Sequence, residues 1–589
     1  MKFIRALYFA AALSATTSVT FAQMADSGYF LHTITQGQSL YSIASMYNIS
    51  TSDIIRLNPG SEAKIRTGAT LKIPQTITNN KQKFHTIQPG ETLYKLTQIY
   101  GVSATKICEI NPGLSPENFK IGQVIIIPSQ TDSVENNPVS RSAVPTVSKS
   151  AIETEYQDMH KVERKETVYS ISRSYGITED ELLRSNPELQ SRDLKKGEFL
   201  FIPYPSSLTV KKADTPTDNE LFDKSRKISK KISTINVAVL LPFMTSGGAN
   251  DEQAKMVEYY EGFLMAVDSL KRHGVSFNIN TYDTGNSTAT IKAILAKAEM
   301  KNMNIIFGPA YADQVKIASD FAKENSIKLV VPFTSKGNEV YANPDIYQIN
   351  TPQSYLYSEV YEHFTRKFPN SNVIFLDAED GNTSKSEFVK GFKDELKDSG
   401  ISYKELKGDA IVPETIKGML MAGKDNIFVP ISGGNVALIK ILPQLVITTR
   451  ENPDSSIKLF GYPEWQTYTH DHLASFYELD TYFYTSFYTN TLFPEAIKFA
   501  SEYRKTYSKT LANTFPKYGM LGFDTGYFFL KGLSKYGNDF DENINKVNIT
   551  PVQTGFKFER VNNWGGFINK KVFFVHFTKN YELIKMNFE

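Results

Sequence analysis

HTITQGQSLYSIASMYNISTSDIIRLNPG (32–60), closing on LKIP (71–74), is written three times in this chain. The second copy is HTIQPGETLYKLTQIYGVSATKICEINPG (85–113), closing on IIIP (125–128). The third is HKVERKETVYSISRSYGITEDELLRSNPE (160–188), closing on LFIP (200–203). From the first His to the Asn of the stop is 26 positions in every copy, but the copies start 53 and then 75 positions apart. Fixed units on variable spacers predict three small domains on a string, not a solenoid whose repeats must stack.

Each copy reads as βααβ. His32 and Ile34 alternate as a first strand, Gly37 allows a tight turn, and Ser39 can cap a helix. Leu40, Ile43, Ala44 and Tyr47 give that helix one apolar face. Ser52 or Asp53 can cap a second helix, which Asn58-Pro59-Gly60 ends, because Pro cannot continue a helix and Gly tolerates positive φ. Leu71 and Ile73 return as an antiparallel strand. A unit of about 45 residues without disulfides is near the lower limit for a lone core.

G-[QE]-[ST]-L-Y, the YGV/YGI turn, [LI]NPG and the closing IP, in register in three copies, resemble the lysin motif, LysM. That family binds N-acetylglucosamine glycans such as peptidoglycan and chitin. The resemblance implies a shallow groove between the loop after strand one and the loop before strand two. In the first copy these are Gly37, Gln38, Ser39 and Leu40 with Asn58, Pro59 and Gly60. In the second they are Gly90, Glu91, Thr92 and Leu93 with Asn111, Pro112 and Gly113. The third copy departs, with Lys165 for the glycine and Glu188 after Pro187, so its groove rests on Glu166, Thr167, Val168 and Asn186.

The chain has 589 residues, too many for one domain. Residues 1–22 carry Lys2 and Arg5, an apolar run and Thr-Phe-Ala before Gln23, which reads as a secretory leader. Its apolar run is too short to span a bilayer. The only cysteine, Cys108, sits inside the second copy, so no intrachain disulfide and no lipidated cysteine at the cleavage site are expected. Without the leader, 63 basic residues balance 63 acidic ones, so no charged field points at nucleic acid. The expected location is the periplasm or secreted, at the cell wall.

The reading divides the chain into LysM units at 29–75, 83–129 and 158–204, a flexible linker at 130–157, a charged linker at 205–234, and an α/β region at 235–589. In that region INVAVLLPF is apolar on both faces, as a parallel strand is. Helical and strand patterns then alternate in two successive βα series, predicting two lobes. INVAVLLP, YYEGFLMAVDSL, FGPA, VVPFTS and GFDTGY, in that order, resemble the type I periplasmic-binding-protein fold of the branched-chain amino-acid receptors. The fold class expected is therefore three βααβ LysM modules followed by a two-lobed α/β domain. The resemblance implies an interlobe ligand cleft at Gly308, Pro309, Ala310, Tyr311, Thr334, Ser335 and Asp524. Ala310, Tyr311 and Ala312 stand where amino-acid receptors usually carry a serine, which argues against a free amino acid. The tail at 555–586 alternates as added strands and is expected to pack on the second lobe.

No HExxH, G-x-S-x-G or Cys-His pairing is present. His470-Asp471-His472 is the only local histidine cluster; on a strand its histidines would share a face, but no third ligand follows. No catalytic residue, metal or cofactor is expected. The aromatic run Tyr482, Phe483, Tyr484, Phe487 and Tyr488 reads as core. The function expected is a non-catalytic glycan-binding protein that holds an α/β ligand- or partner-binding domain at the wall. The alternatives are a wall-tethered solute receptor for a transporter and a regulator of a peptidoglycan synthase or hydrolase.

Overall fold

The structure, a computed structural model, describes residues 28–588 except 36, 63–64, 76–82, 129–157, 163–165, 187–188, 190–193, 195–198, 204–215, 226–230 and 245–250. The expected leader, the linker 130–157, and Lys165, Pro187 and Glu188 lie outside the described residues. The chain forms two compact units. One holds residues through Glu91, Thr105–Pro128 and Ser225–Glu589; the other holds Thr92–Ala104 and Ser129–Lys224.

Each repeat has the expected βααβ order. Strand β1 (Tyr29–Thr33) pairs antiparallel with β2 (Thr70–Pro74), β3 (Lys83–Thr86) with β4 (Val124–Ile127), and β5 (Asp158–Lys161) with β6 (Phe199–Ile202). The helices between them are Leu40–Met46 and Thr51–Leu57, Leu93–Tyr100 and Ala104–Ile110, and Val168–Ser174 and Glu179–Ser185. Ser39, Thr92 and Thr167 cap the first helix of each repeat, satisfying backbone N–H groups that the first turn leaves free. The second helix of the first repeat is capped by Ser50, not by Ser52 or Asp53; Asp53 instead answers the Ser50 backbone in a capping box.

The first repeat is not a bead on a string. Its core of Phe30, Ile43, Ile54 and Ile73 runs through Phe84 and Trp564 into Val340, Tyr341 and Ile346 of the α/β domain. The Phe30 and Phe84 rings stack at 5.1 Å, and the Trp564 ring lies 5.9 Å from Tyr47 and 5.4 Å from Phe84. A unit this small buries too little apolar surface alone, and leaning on a larger domain extends its core. The third repeat closes a core of its own around Val162, Ile171, Leu182, Leu200 and Ile202. Part of the expected charged linker is also structured: Asp218–Ser225 is a helix with Phe222 buried, and Asp218 accepts a hydrogen bond from the Leu93 backbone N–H at 2.8 Å.

The α/β domain is two lobes, each with a seven-stranded sheet. The first lobe contributes β7 (Thr234–Leu241), β8 (Ser276–Asp283), β9 (Ile305–Phe307), β10 (Lys328–Val331) and β11 (Ile346–Gln348). The second contributes β12 (Ser371–Asp377), β13 (Tyr403–Lys407), β14 (Asp425–Pro430), β15 (Ile457–Gly461) and β16 (Thr481–Thr485). Within each lobe these five strands run parallel to one another, as apolar strands joined through helices do.

The tail does not pack on the second lobe alone. It is divided: β17 (Phe558–Arg560) and β18 (Phe567–Asn569) extend the first sheet from β11, and β19 (Phe573–Phe577) and β20 (Leu583–Asn587) extend the second from β16. Nor do the lobes simply follow one another in sequence. The helices Pro494–Tyr507 and Tyr518–Tyr536 return to the first lobe and pack with Asp251–Arg272. Two of the backbones meet closely. A Cβ on Gly522 would lie 1.9 Å from the Tyr259 carbonyl, and one on Gly262 would lie 1.8 Å from that of Gly519.

Gly522→Ala should therefore lower stability by about 1–3 kcal/mol through overpacking, read as a drop in the denaturation midpoint at unchanged m-value. A second expectation concerns pH. Burial, opposed by Glu359 and reinforced by Arg366, pushes the His363 imidazole down to about 4, against about 6.5 in an unfolded chain. Below pH 6.5 the unfolded chain takes a proton that the folded one refuses, so this contribution falls as pH drops from 6.5 to 4. His363→Gln should flatten that part of the stability profile relative to the parent, measured by denaturation at pH 7.5 and 5.

Candidate functional site

The side chains expected to meet glycan are mostly engaged in holding each repeat together. His32 Nε2 meets Gln38 Oε1 at 2.8 Å and its Nδ1 meets the Tyr47 hydroxyl at 2.7 Å; Gln38 Oε1 also accepts the Thr35 backbone N–H. In the second repeat His85 meets Glu91 at 2.7 Å, and Glu91 accepts Gln88 N–H. In the third His160 meets Glu166 at 2.7 Å and the Tyr175 hydroxyl at 3.2 Å. The Gln or Glu after the turn is thus the partner of the histidine that opens each repeat. Burial lowers the pKa of His32, which favours the neutral ring.

The stop asparagines act the same way. Asn58 donates to the carbonyls of Ile54 and Lys72 and accepts Lys72 N–H, all at 2.8 Å. Asn111, fully buried, donates to Ile107 and Ile126 and accepts Ile126 N–H. Asn186 is buried and donates to Leu182. Each ties the end of the second helix to the returning strand or to its own last turn. Ser39, Thr92 and Thr167 are occupied as caps, Leu93 is buried, and Val168 opens its helix. The loops therefore have chiefly backbone N–H and C=O groups and exposed surface to present to a sugar, a donor set matched to acetamido and hydroxyl groups.

Access to these loops differs from repeat to repeat. Among the described residues, a Cβ on Gly60 or Gly90 would meet nothing within 4 Å. One on Gly37 would lie 3.0 Å from the Ser358 hydroxyl, and one on Gly113 would lie 2.6 Å from Arg560. Gly113 N–H donates to the Asn563 carbonyl at 2.8 Å, and Asn563 Nδ2 donates to Val124 O at 2.8 Å. Pro59 and Pro112 are both exposed beside these glycines.

In the α/β domain, Gly308 to Tyr311 follow β9, and Thr334 and Ser335 follow β10, at the C-terminal ends of parallel strands where such folds bind ligands. Gly308 has φ +95 with the Leu240 carbonyl 2.1 Å from a built Cβ, so only glycine fits. Burial and then a hydrogen bond to Glu252 raise the Tyr311 phenol to about 12. Thr334 Oγ1 accepts Lys336 N–H. Asp524 departs from the expectation. It is buried and its carboxylate accepts the backbone N–H groups of Val552, Gln553 and Thr554, each at 2.8 Å, so it positions that segment and has no oxygen directed to a ligand.

Sequence reading missed the matching loops of the second lobe. There Ser432 donates to Asp380 at 2.6 Å and accepts Gly434 N–H, and buried Lys385 pairs with Glu464 at 2.9 Å. Their only sequence signal is position directly after a strand. His470 and His472 lie on the helix Thr469–Glu478 rather than a strand, so they do not share a face; His472 bonds Asn435 at 2.6 Å. Of the aromatic run, Tyr482, Phe483, Tyr484 and Tyr488 are buried core. Cys108 is half-buried, and burial raises its thiol pKa, the reverse of an activated nucleophile.

The family model of the LysM domain matches residues 32–74, 85–128 and 160–203, so the chain carries three LysM domains. Among curated proteins, one of Bacillus subtilis (strain 168) assigned as a sporulation-specific glycosylase is 33% identical over 100 residues, 17% of this chain and 22% of its own. The N-acetylmuramoyl-L-alanine amidase sle1 of Staphylococcus epidermidis is 28% identical over 189 residues, 31% of this chain and 53% of the amidase. The chain thus spans about a fifth to about half of the length of these relatives. Among solved structures, a branched-chain amino-acid ABC transporter protein of Rhodospirillum rubrum aligns with 60% of this chain and 100% of its own at 10% identity and TM-score 0.43. A Desulfitobacterium hafniense substrate-binding protein in complex with Leu does so at 12% identity and TM-score 0.34.

Gln38→Ala should cost the first repeat about 1–3 kcal/mol, because His32 and Thr35 N–H lose their acceptor. Glu91→Gln keeps an acceptor and should cost less in the second repeat; hydrogen exchange over 29–74 and 83–128 reads both.

Proposed function

We propose that this chain is a non-catalytic cell-wall protein that binds N-acetylglucosamine glycan, peptidoglycan above all, through its LysM domains and holds its two-lobed α/β domain at the wall. The observation that carries this reading is the triple LysM match, in repeats where no described residue lies within 4 Å of a Cβ at Gly60 or Gly90. Several weak sites on one chain raise apparent affinity because each bound site holds the others at high effective concentration. The binding needs no titrating group, metal or nucleophile; backbone amides and carbonyls fixed by the His–Gln/Glu and Asn ties supply the contacts. Such a protein works outside the cytoplasm. Among the described residues no helix is long and apolar enough to cross a membrane.

The α/β domain then acts as the cargo. In the candidate cleft Lys385 is already neutralised by Glu464. That charge is balanced within the protein, which favours a partner or an uncharged ligand over a free zwitterionic amino acid.

The mature chain should co-sediment with purified sacculi, and soluble N-acetylglucosamine oligomers should release it. Incubation should free no reducing sugar or peptide from the wall. A chain that stays in the supernatant overturns wall binding, and release of muropeptides overturns the non-catalytic reading.

A further inference from the structure

The first repeat touches both lobes. Through Phe30, Phe84 and Trp564 its core is continuous with the first lobe. Its Gly37 loop lies instead against the helix Gln353–Lys367, whose Leu356, Val360 and Phe364 belong to the core of the second lobe. A Cβ on Gly37 would sit 3.0 Å from Ser358 Oγ and 3.5 Å from the Tyr355 carbonyl. The repeat therefore straps one lobe to the other, next to the segment 349–353 where the chain passes from β11 into that helix.

The strap lies over loops the LysM resemblance assigns to glycan. The Gly37 loop faces Tyr355 and Ser358, and in the second repeat Gly113 is held by Asn563 and Arg560 of the β17–β18 turn. The seam at Gly37 is also imperfectly satisfied. Among the described residues, the Ser358 hydroxyl is buried without a hydrogen-bond partner. The Tyr355 hydroxyl is buried beside Ser42, whose own hydroxyl is already engaged with the Ser39 backbone, and it makes no well-formed bond; burial raises its pKa to about 12. Buried hydroxyls without partners disfavour the closed seam, and opening it returns them to water. The apolar core, with Leu40 and Tyr355 only at its margin, and the poorly satisfied hydroxyls at the seam make a latch that can release at Gly37 while holding at Trp564.

We propose that glycan and the second lobe compete for the Gly37 loop, so that engaging the wall unlatches the first repeat from the helix Gln353–Lys367 and frees the hinge between the lobes. The proposal rests on the glycan-binding reading above. By linkage, whatever the glycan gains from an open seam, an open seam gains from glycan, to the same factor. The β17–β18 turn acts alike on Gly113, so both contacts lower the number of loops free to bind in the resting chain.

The test is calorimetry of the full mature chain with an N-acetylglucosamine pentamer, together with hydrogen exchange. Three chains are compared: the parent, Trp564→Ala, and Ser358→Glu, which leaves the apolar core intact and wedges only the Gly37 seam. Both variants should bind the pentamer at least threefold tighter, or at higher stoichiometry, than the parent. Pentamer should raise exchange across 353–367 in the parent, and Ser358→Glu should show that raised exchange without pentamer. Equal affinity and stoichiometry in the parent and Ser358→Glu, with exchange across 353–367 unmoved by pentamer, overturn the competition and leave glycan binding standing. No binding by any of the three overturns both.

Discussion

The carboxylate of Asp524, buried and gripped by three consecutive backbone N–H groups at 552–554, is the constraint on which the two-lobed domain depends. It pins the end of the segment that leads from the first lobe's last helix into the tail. From that point the chain lays β17 and β18 on one sheet, then β19 and β20 on the other. Lys585, on β20, donates to the carbonyls of Tyr488 and Gln553 and so ties the second sheet's added strands to the same pinned segment. Burial raises the pKa of Asp524 and lowers that of Lys585, each opposed by the charge of the other. An ion taken out of water this way is costly unless its hydrogen bonds are made, and here three backbone amides make them while the charge of Lys585 lies close enough to favour the carboxylate.

Much of this was legible in the sequence, and the parts that were not share a physical cause. The βααβ order could be read because 26-residue spacing, capping residues and Asn-Pro stops are local signals. The parallel strands could be read because both of their faces are apolar. The role of Gln38, Glu91 and Glu166 could not, because a residue that ties a histidine and a residue that meets a sugar leave the same mark in a motif. The same holds for Asn58, Asn111 and Asn186. The destination of the tail was also hidden, since strands of three to five residues carry no local record of which sheet edge they join. In the expected charged linker, one buried phenylalanine among acids and lysines gives no helical period, so Asp218–Ser225 was invisible. The first-lobe loops of the candidate cleft were expected from FGPA and VVPFTS, while Asp380, Lys385, Ser432 and Glu464 lie in no such string.

One scaffold is packed in two ways in this chain. All three use the same internal ties, yet the first is absorbed into a neighbouring core through Trp564 and the third closes its own around Leu182 and Leu200. Small modules gain stability from whatever apolar surface they cover. A module repeated in a chain can therefore be built into a neighbouring domain in one copy and stand on its own core in another.

The division of β17 to β20 between the two sheets also sets an order in time. Neither sheet can be finished until residues beyond 567 and 573 have been synthesised, although their first strands begin at 234 and 371. Contacts that span hundreds of residues form late. A chain threaded outward from its N-terminus would therefore travel with both lobes incomplete, and would lock into its native form only after its last strands had followed.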